Sequence, residues 1–355
     1  MDRQPHVTVL YDVEDWSFHN IANNVSTVVS HYDFSLYGKA DWFKKPKASE
    51  IVQKSDVIVF LWRYDVLMFL ESLDDAAWER MLGPDRPAIV AMVYDHLYID
   101  ADGPKAPSNP YPVCDLVCAS SKKLQNIYNA SPQLPDVFES LADGVNLERF
   151  HSPEGGRSSD APLSIGWVGN SGWGEKFGHD IKGRRTVFDV ALQILEERGL
   201  PFERRIADRM EVRVPFDEMP AFYRNLDVLV CTSAIEGTPN PVLEAMASGA
   251  AVVTTDVGIV TESFGEKQSG FIIERAAEPF ADALAKLIEN RDLHLGLCAE
   301  NVSRRDTLSW LSRAHLWKGV FEKAIAEARA PDNPRREILA EYRVVPPKIG
   351  VDLND

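Results

Sequence analysis

Cysteine is scarce. Four occur in 355 residues, Cys114, Cys118, Cys231 and Cys298. That is too few to staple a fold together. Cys114 and Cys118 flank DLV, but no second Cys or His pair stands at zinc spacing. Reduced, mostly buried thiols in a cytoplasmic protein are the expectation. Long apolar runs are missing too: no stretch of about 18 apolar residues occurs, so no membrane-spanning helix is expected. The opening MDRQPHVTVLYDVEDW has no long apolar stretch of the secretory-signal kind. Basic residues are outnumbered, 38 Lys and Arg against 54 Asp and Glu, for a net charge of −16. Residues 1–160 hold 14 basic and 24 acidic side chains, net −10, and the remainder is net −6. Neither half offers the basic surface that nucleic acid needs. Any phosphate site must be local, built from a few cations and backbone N–H groups.

What is present is a core and a rhythm. Hydrophobic residues make up 45% of the chain, enough to pack about two domains at this length. Short apolar runs at 6–11, 56–61, 88–94, 115–119 and 137–141 alternate with segments of helical period. The clearest are SFHNIANNVSTVVSHY and DVLMFLESLDDAAWERML. This alternation predicts βαβ units and a parallel sheet. HSPEGGRSSDAP (151–162) breaks the pattern and reads as a linker. The rhythm restarts with strands at LSIGWVG, PFERRIA, DVLVCTS, AAVVTTDVG and SGFII. Helices are expected over 182–199, 241–249, 277–290, 292–302 and 308–329. The predicted organisation is a domain over 1–150, the linker, a second domain over 163–325, and a tail over 326–355 packing on the surface.

In open parallel sheets, ligands bind beyond the carboxyl ends of the strands. The richest such stretch is 227–258. There a strand gives way to Glu236, Gly237, Thr238, Pro239 and Asn240, and then to a helix carrying Glu244. Asn240 suits an N-cap and Pro241 a first helical position. Carboxylates beside such an anion-attracting helix start make sense as acceptors from sugar or ribose hydroxyls. Alone, Glu244 would equally suit the helix dipole.

Glu236 and Glu244, with seven residues between them and followed by AMASGAAVVTTDVG, resemble the E-x7-E signature of retaining GT-B glycosyltransferases, family 4 (glycosyl transferases group 1). VCASSKKLQNIY with SLADGVNLERF, and IGWVGN with IKGRRTVFDVALQIL, are similar to further family segments. The likeness is close over about residues 110–325 and only a pattern before that. It implies an α/β fold of GT-B architecture, two tandem doubly wound Rossmann-like domains facing a cleft. It implies transfer of a hexose from a nucleotide-sugar, UDP-linked by frequency in the family, to a glycan or lipid-linked acceptor in exopolysaccharide or lipopolysaccharide assembly. Neither cofactor nor metal is implied. Glu244 would hold the ribose and Glu236 the reacting face, with Gly237, Thr238, Pro239 and Asn240 around the sugar and distal phosphate. Lys182 of Lys182-Gly183 would meet the diphosphate. Asn170, after Gly169, stands where the family has an Arg, which leaves Lys176, Arg184 and Arg185 as candidates to supply the missing charge. Asp95-His96 reverses a His-Asp pair common in the family and is a candidate catalytic pair.

The first loop, DVEDWSFHN, lacks the family's glycines and offers Asp12, Asp15, Trp16 and His19 as an acceptor-side surface. Asp100-Ala101-Asp102 spells a DxD, a weak metal signal from two carboxylates. Trp42 and Phe43 beside Lys44, Lys45 and Lys47 offer a peripheral contact to an anionic membrane face, or two aromatics turned inward. Rival readings are a catalytically inactive nucleotide-sugar-binding protein and an epimerase or phosphorylase on the same architecture.

Overall fold

The computed structural model describes residues 3–44, 46–96, 99–100, 103–104, 109–157, 161–174 and 179–344. The chain divides into two units. The first holds residues 1–142 and returns from 313 onward; the second holds 143–312.

The first unit's strands are β1 (His6–Tyr11), β2 (Asp33–Gly38), β3 (Val57–Phe60), β4 (Ala88–Val93), a two-residue hairpin of β5 (Ile99–Asp100) and β6 (Gly103–Pro104), β7 (Leu116–Ala119) and β8 (Glu139–Ser140). Six of them form a sheet in the order β2-β1-β3-β4-β7-β8, each pairing parallel. The order reverses between β1 and β3, which makes their carboxyl ends the crevice of this sheet. β3 and β4 are buried along their whole length, as strands covered on both faces must be. Periodicity does not reveal β2, because it is an edge strand of mixed polarity. Phe321 of the helix Trp310–Arg329 packs against Phe34 and the adjacent Tyr32. The expected single helix after β3 is two, Asp65–Glu71 and Asp75–Leu82, because the Asp74 carboxylate caps the second by accepting from Ala77 N–H.

The second unit's strands are β9 (Leu163–Gly169), β10 (Phe202–Asp208), β11 (Val228–Cys231) and β12 (Ala251–Thr254), parallel in the order β10-β9-β11-β12. Its reversal lies between β9 and β11. SGFII is not a fifth strand: only a single bridge, Ile272 to Thr254, forms there.

The boundaries differ from expectation. The division falls at 142/143, and the 151–162 segment is not a bare linker where it is described. Arg157 donates to the carbonyls of Gly249, Ser248 and Tyr223 and to Asp227, which ties it to the second unit. Asp143-Gly144-Val145-Asn146 also belongs there, with Val145 pairing with Ser309. A side chain at Gly144 would lie 2.5 Å from Trp310 N, so the approach of these two backbones requires glycine. Where it is described, the tail packs on the first unit. Its helix Arg335–Val344 buries Leu339 and Tyr342 in the first unit's core. Among the described residues, no helix is long and apolar enough to cross a membrane.

Candidate active site

The second unit brings chemistry together at the carboxyl ends of β9 and β11. Glu236 lies in the loop after β11 and Lys182 in the segment after β9. Lys182 Nζ donates to Glu236 Oε1 at 2.5 Å, and Ser233 Oγ donates to the same oxygen at 2.7 Å. Both members of the ion pair are part-exposed, at 18% each. The Lys182 ammonium also sits 5.0 Å from the Trp173 ring centre, a cation–π distance.

The helix after Lys182 opens differently from expectation. It begins at Arg184 with one π-turn and becomes α-helical over Asp189–Glu197. Asp180 already fills its amino end, accepting from the N–H groups of Gly183, Arg185 and Thr186 at 2.8 to 2.9 Å. Burial works against the Asp180 charge, but these hydrogen bonds hold its carboxyl below the ordinary value. A phosphate would therefore meet a carboxylate at this helix start. Gly183 has a φ of +69°, and a Cβ there would lie 2.3 Å from Thr232 O. Its glycine serves the turn, not a phosphate's approach.

Arg184 is excluded as the substitute cation. Its guanidinium is 4% exposed and pairs with Asp208, Glu211 and Asp189 at 2.7, 2.9 and 3.1 Å. Arg185 is exposed, and Lys176 lies outside the described residues. Asn170 Oδ1 accepts from Gly172 N–H, closing the turn after β9. Gly169 lies over the Trp167 ring, with no room there for a side chain.

The loop after β11 is braced from within its own unit. Thr238 Oγ1 accepts from Asp143 N–H, and Asn240 Nδ2 donates to Asp143 Oδ2 at 3.1 Å. Asn240 does not cap the helix Asn240–Ala247 with its side chain; Pro239 is the cap residue. Gly237 and Thr238 are buried. Glu244 projects from the second turn of that helix and is partly exposed. Burial of the carboxyl pushes its pKa up to about 7, opposed by the Tyr223 hydroxyl and by Arg149. The Tyr223 hydroxyl lies beside it, close enough to act on its charge but outside strict hydrogen-bond geometry.

In the first unit, Asp95 and His96 follow β4. Asp95 is buried and pairs with Arg63 at 2.7 Å. Arg63 is fully buried between Trp62 and Tyr64, its guanidinium 5.1 and 4.6 Å from their ring centres. Burial opposes the Arg63 charge, yet Asp95 holds its pKa above the ordinary arginine value. Asp95 is thus bound to a buried charge rather than presented to a ligand. His96 is half-buried, and among the described residues its Nδ1 has no hydrogen-bond partner.

The loop after β1 is a built turn. Asp15 sits at φ +61°, a left-handed conformation, and its N–H donates to His19 Nδ1 at 2.9 Å. His19 stacks on Tyr11 at 4.7 Å, and Trp16 is 40% exposed. Sequence reasoning missed the neighbouring Lys39 and Asp65, paired at 2.9 Å after β2 and β3. Burial pushes the Asp65 carboxyl up to about 6 even so, and raises that of Asp12.

Burial divides the aromatic pair at 42 and 43. Trp42 is fully buried against Phe69, while Phe43 is 52% exposed. Lys47 pairs with Glu50; Lys44 is exposed and Lys45 lies outside the described residues. Of the DxD, Ala101 and Asp102 lie outside the described residues, as does the side chain of Asp100.

Comparison with known proteins bears on this geometry. The family model Glycosyl transferases group 1 matches residues 191–290, which include both Glu236 and Glu244. D-inositol 3-phosphate glycosyltransferase of Corynebacterium glutamicum is 27% identical over 145 residues, 41% of this chain and 34% of that protein. The MMP alpha-(1->4)-mannosyltransferase of Mycolicibacterium hassiacum is 26% identical over 238 residues, 61% of this chain and 56% of that protein. The chain thus spans about a third of the first relative and just over half of the second. Among solved structures, Anabaena HepE in complex with UDP and glucose superposes with a TM-score of 0.64. It covers 90% of this chain and 99% of its own at 12% identity. The fold is GT-B. Within this GT-B chain, Lys182, Glu236 and Ser233 stand at the order reversal of the second sheet, where an open α/β sheet binds its ligand.

Proposed function

We propose that the protein is a retaining glycosyltransferase that moves a hexose from a UDP-sugar to a glycan or lipid-linked acceptor in polysaccharide assembly. One observation carries the reading: Lys182 and Glu236 meet at the β9/β11 reversal, with Glu244 eight residues beyond Glu236. The similarity to glycosyltransferases over this region and the UDP in the Anabaena neighbour support it.

Lys182 takes the donor diphosphate, Glu244 the ribose hydroxyls, and Glu236 the reacting sugar. The bond from the anomeric carbon to the diphosphate oxygen breaks, and the acceptor oxygen bonds to that carbon on the same face. The acceptor proton passes to the departing phosphate oxygen. The chain's part is positioning and charge stabilisation in a partly dry site. His96, Asp15, Trp16 and His19 are the acceptor-side residues of this reading. Asp95 serves it by fixing the strand end that carries His96.

The test is a thermal-shift panel of UDP-, GDP-, ADP- and dTDP-sugars, since a ligand of the native state raises the melting temperature. The UDP-sugar should give the largest shift; no shift with any would sink the donor reading. Incubation of UDP-glucose without acceptor, followed by proton NMR, should release α-glucose first and continue in EDTA. First release of β-glucose would sink retention.

A further inference from the structure

The site as it stands is occupied by the chain's own charges, and the following rests on the donor reading above. Glu236 Oε1 holds two donors at once, Lys182 Nζ and Ser233 Oγ. The ammonium meant for a diphosphate is therefore already neutralised by a carboxylate. The two donors differ in freedom. Lys182 reaches the site on a flexible four-carbon stem and is part-exposed, so it can turn to a new anion without moving backbone. Ser233 sits on a buried, held backbone. It is 4% exposed just beyond β11, and its carbonyl accepts from the Thr255 hydroxyl at 2.6 Å. A diphosphate carries more charge than one carboxylate and presents several oxygens, so it is the stronger partner for the ammonium.

We propose that diphosphate binding transfers Lys182 from Glu236 to the ligand, and that Ser233 is the positioning residue that keeps Glu236 in place once Lys182 has left. Glu236 is then relieved of its cation only when a donor is present. No covalent change is involved: one ion pair breaks and another forms.

The consequence is opposite in sign to that of an ordinary binding residue. Removing the Glu236 charge removes a competitor for Lys182, so binding should tighten. Calorimetric titration with UDP tests it on the wild type, E236Q, S233A, S233T and the E236Q/S233A double variant. E236Q should bind UDP about 2- to 5-fold more tightly, the range for release of a part-exposed ion pair. S233A should bind UDP about 2- to 5-fold more weakly, because its hydrogen bond matters most once Glu236 has lost Lys182. S233T keeps the hydroxyl and should restore wild-type affinity. In the E236Q background the S233A loss should vanish, since the neutral amide of that variant has no cation to give up.

Unchanged or weaker binding by E236Q overturns the transfer and leaves the donor reading intact. An S233A affinity equal to wild type, or a loss that persists in the E236Q background, overturns the positioning role. A wild type that does not bind UDP overturns the donor reading, and the transfer with it.

Discussion

Each unit carries an ion pair at the carboxyl end of its sheet, and the two pairs differ in burial. Arg63–Asp95 in the first unit has its guanidinium fully buried and its carboxylate 12% exposed. Lys182–Glu236 in the second is 18% exposed on both sides. A charge sealed from water must keep its partner, because nothing else can solvate it. A charge at the rim can exchange its partner for a ligand at small cost. Burial therefore separates a pair that holds the fold from a pair that can serve a substrate, though the residue types look alike on paper.

The sharpest way to break this comparison is Asp95→Ala. It leaves Arg63 buried without its carboxylate and should cost about 3–5 kcal/mol of stability. Urea unfolding measures it; a loss within about 1 kcal/mol, the range of an exposed pair, would erase the distinction.

Lys182→Ala should leave stability nearly unchanged and weaken UDP binding by about 1.5–3 kcal/mol, the range of a charge-assisted hydrogen bond. Uridine, which lacks the phosphates, should bind as before. Calorimetry with both ligands decides: equal losses would place the diphosphate elsewhere, with Arg185 the next residue to change.

Glu244 sharpens the comparison through pH. Its folded pKa of about 7 lies above the ordinary value of 4.5. The folded state therefore holds a proton that the unfolded state has lost between these values, and stability falls as pH rises through that window. Glu244→Gln removes the penalty. It should raise the melting temperature at pH 8 by a few degrees, on the order of 1–2 kcal/mol, with the difference vanishing near pH 4. A constant difference across pH would mean that the carboxyl is ordinary.

The smallest effect belongs to Phe43→Ala, expected within about 0.5 kcal/mol as an exposed substitution. The adjacent Trp42→Ala should cost about 3–5 kcal/mol, as a fully buried indole does. Similar losses for the two would contradict the inward packing of Trp42.

Much of this was legible beforehand. β1, β3, β4, β9 and β11 follow from apolar runs bounded by polar turns, and Lys182, Glu236 and Glu244 stood out in loops and helix starts after strands. What escaped was set by neighbours rather than by type. Asp180 carries a signal of its own, an acidic residue just ahead of a helix, but the type alone does not say that it accepts from three N–H groups at once. Ser233 gave no signal, because a serine ending a strand is commonplace until a carboxylate is found beside it. Trp42 among lysines left two readings open, a membrane contact or an inward-turned aromatic, and packing against Phe69 decides for the second.

By itself the sequence determined the alternation of strand and helix, the two-unit α/β class, and the chemical types available at the strand ends. These are short-range properties, carried by periodicity within about a dozen residues. Only the tertiary structure decided which charges pair and which are sealed. Arg63 meets Asp95 across 32 residues, and Lys182 meets Glu236 across 54. Partner choice and desolvation depend on contacts between distant segments, and no local pattern encodes how much water will reach them.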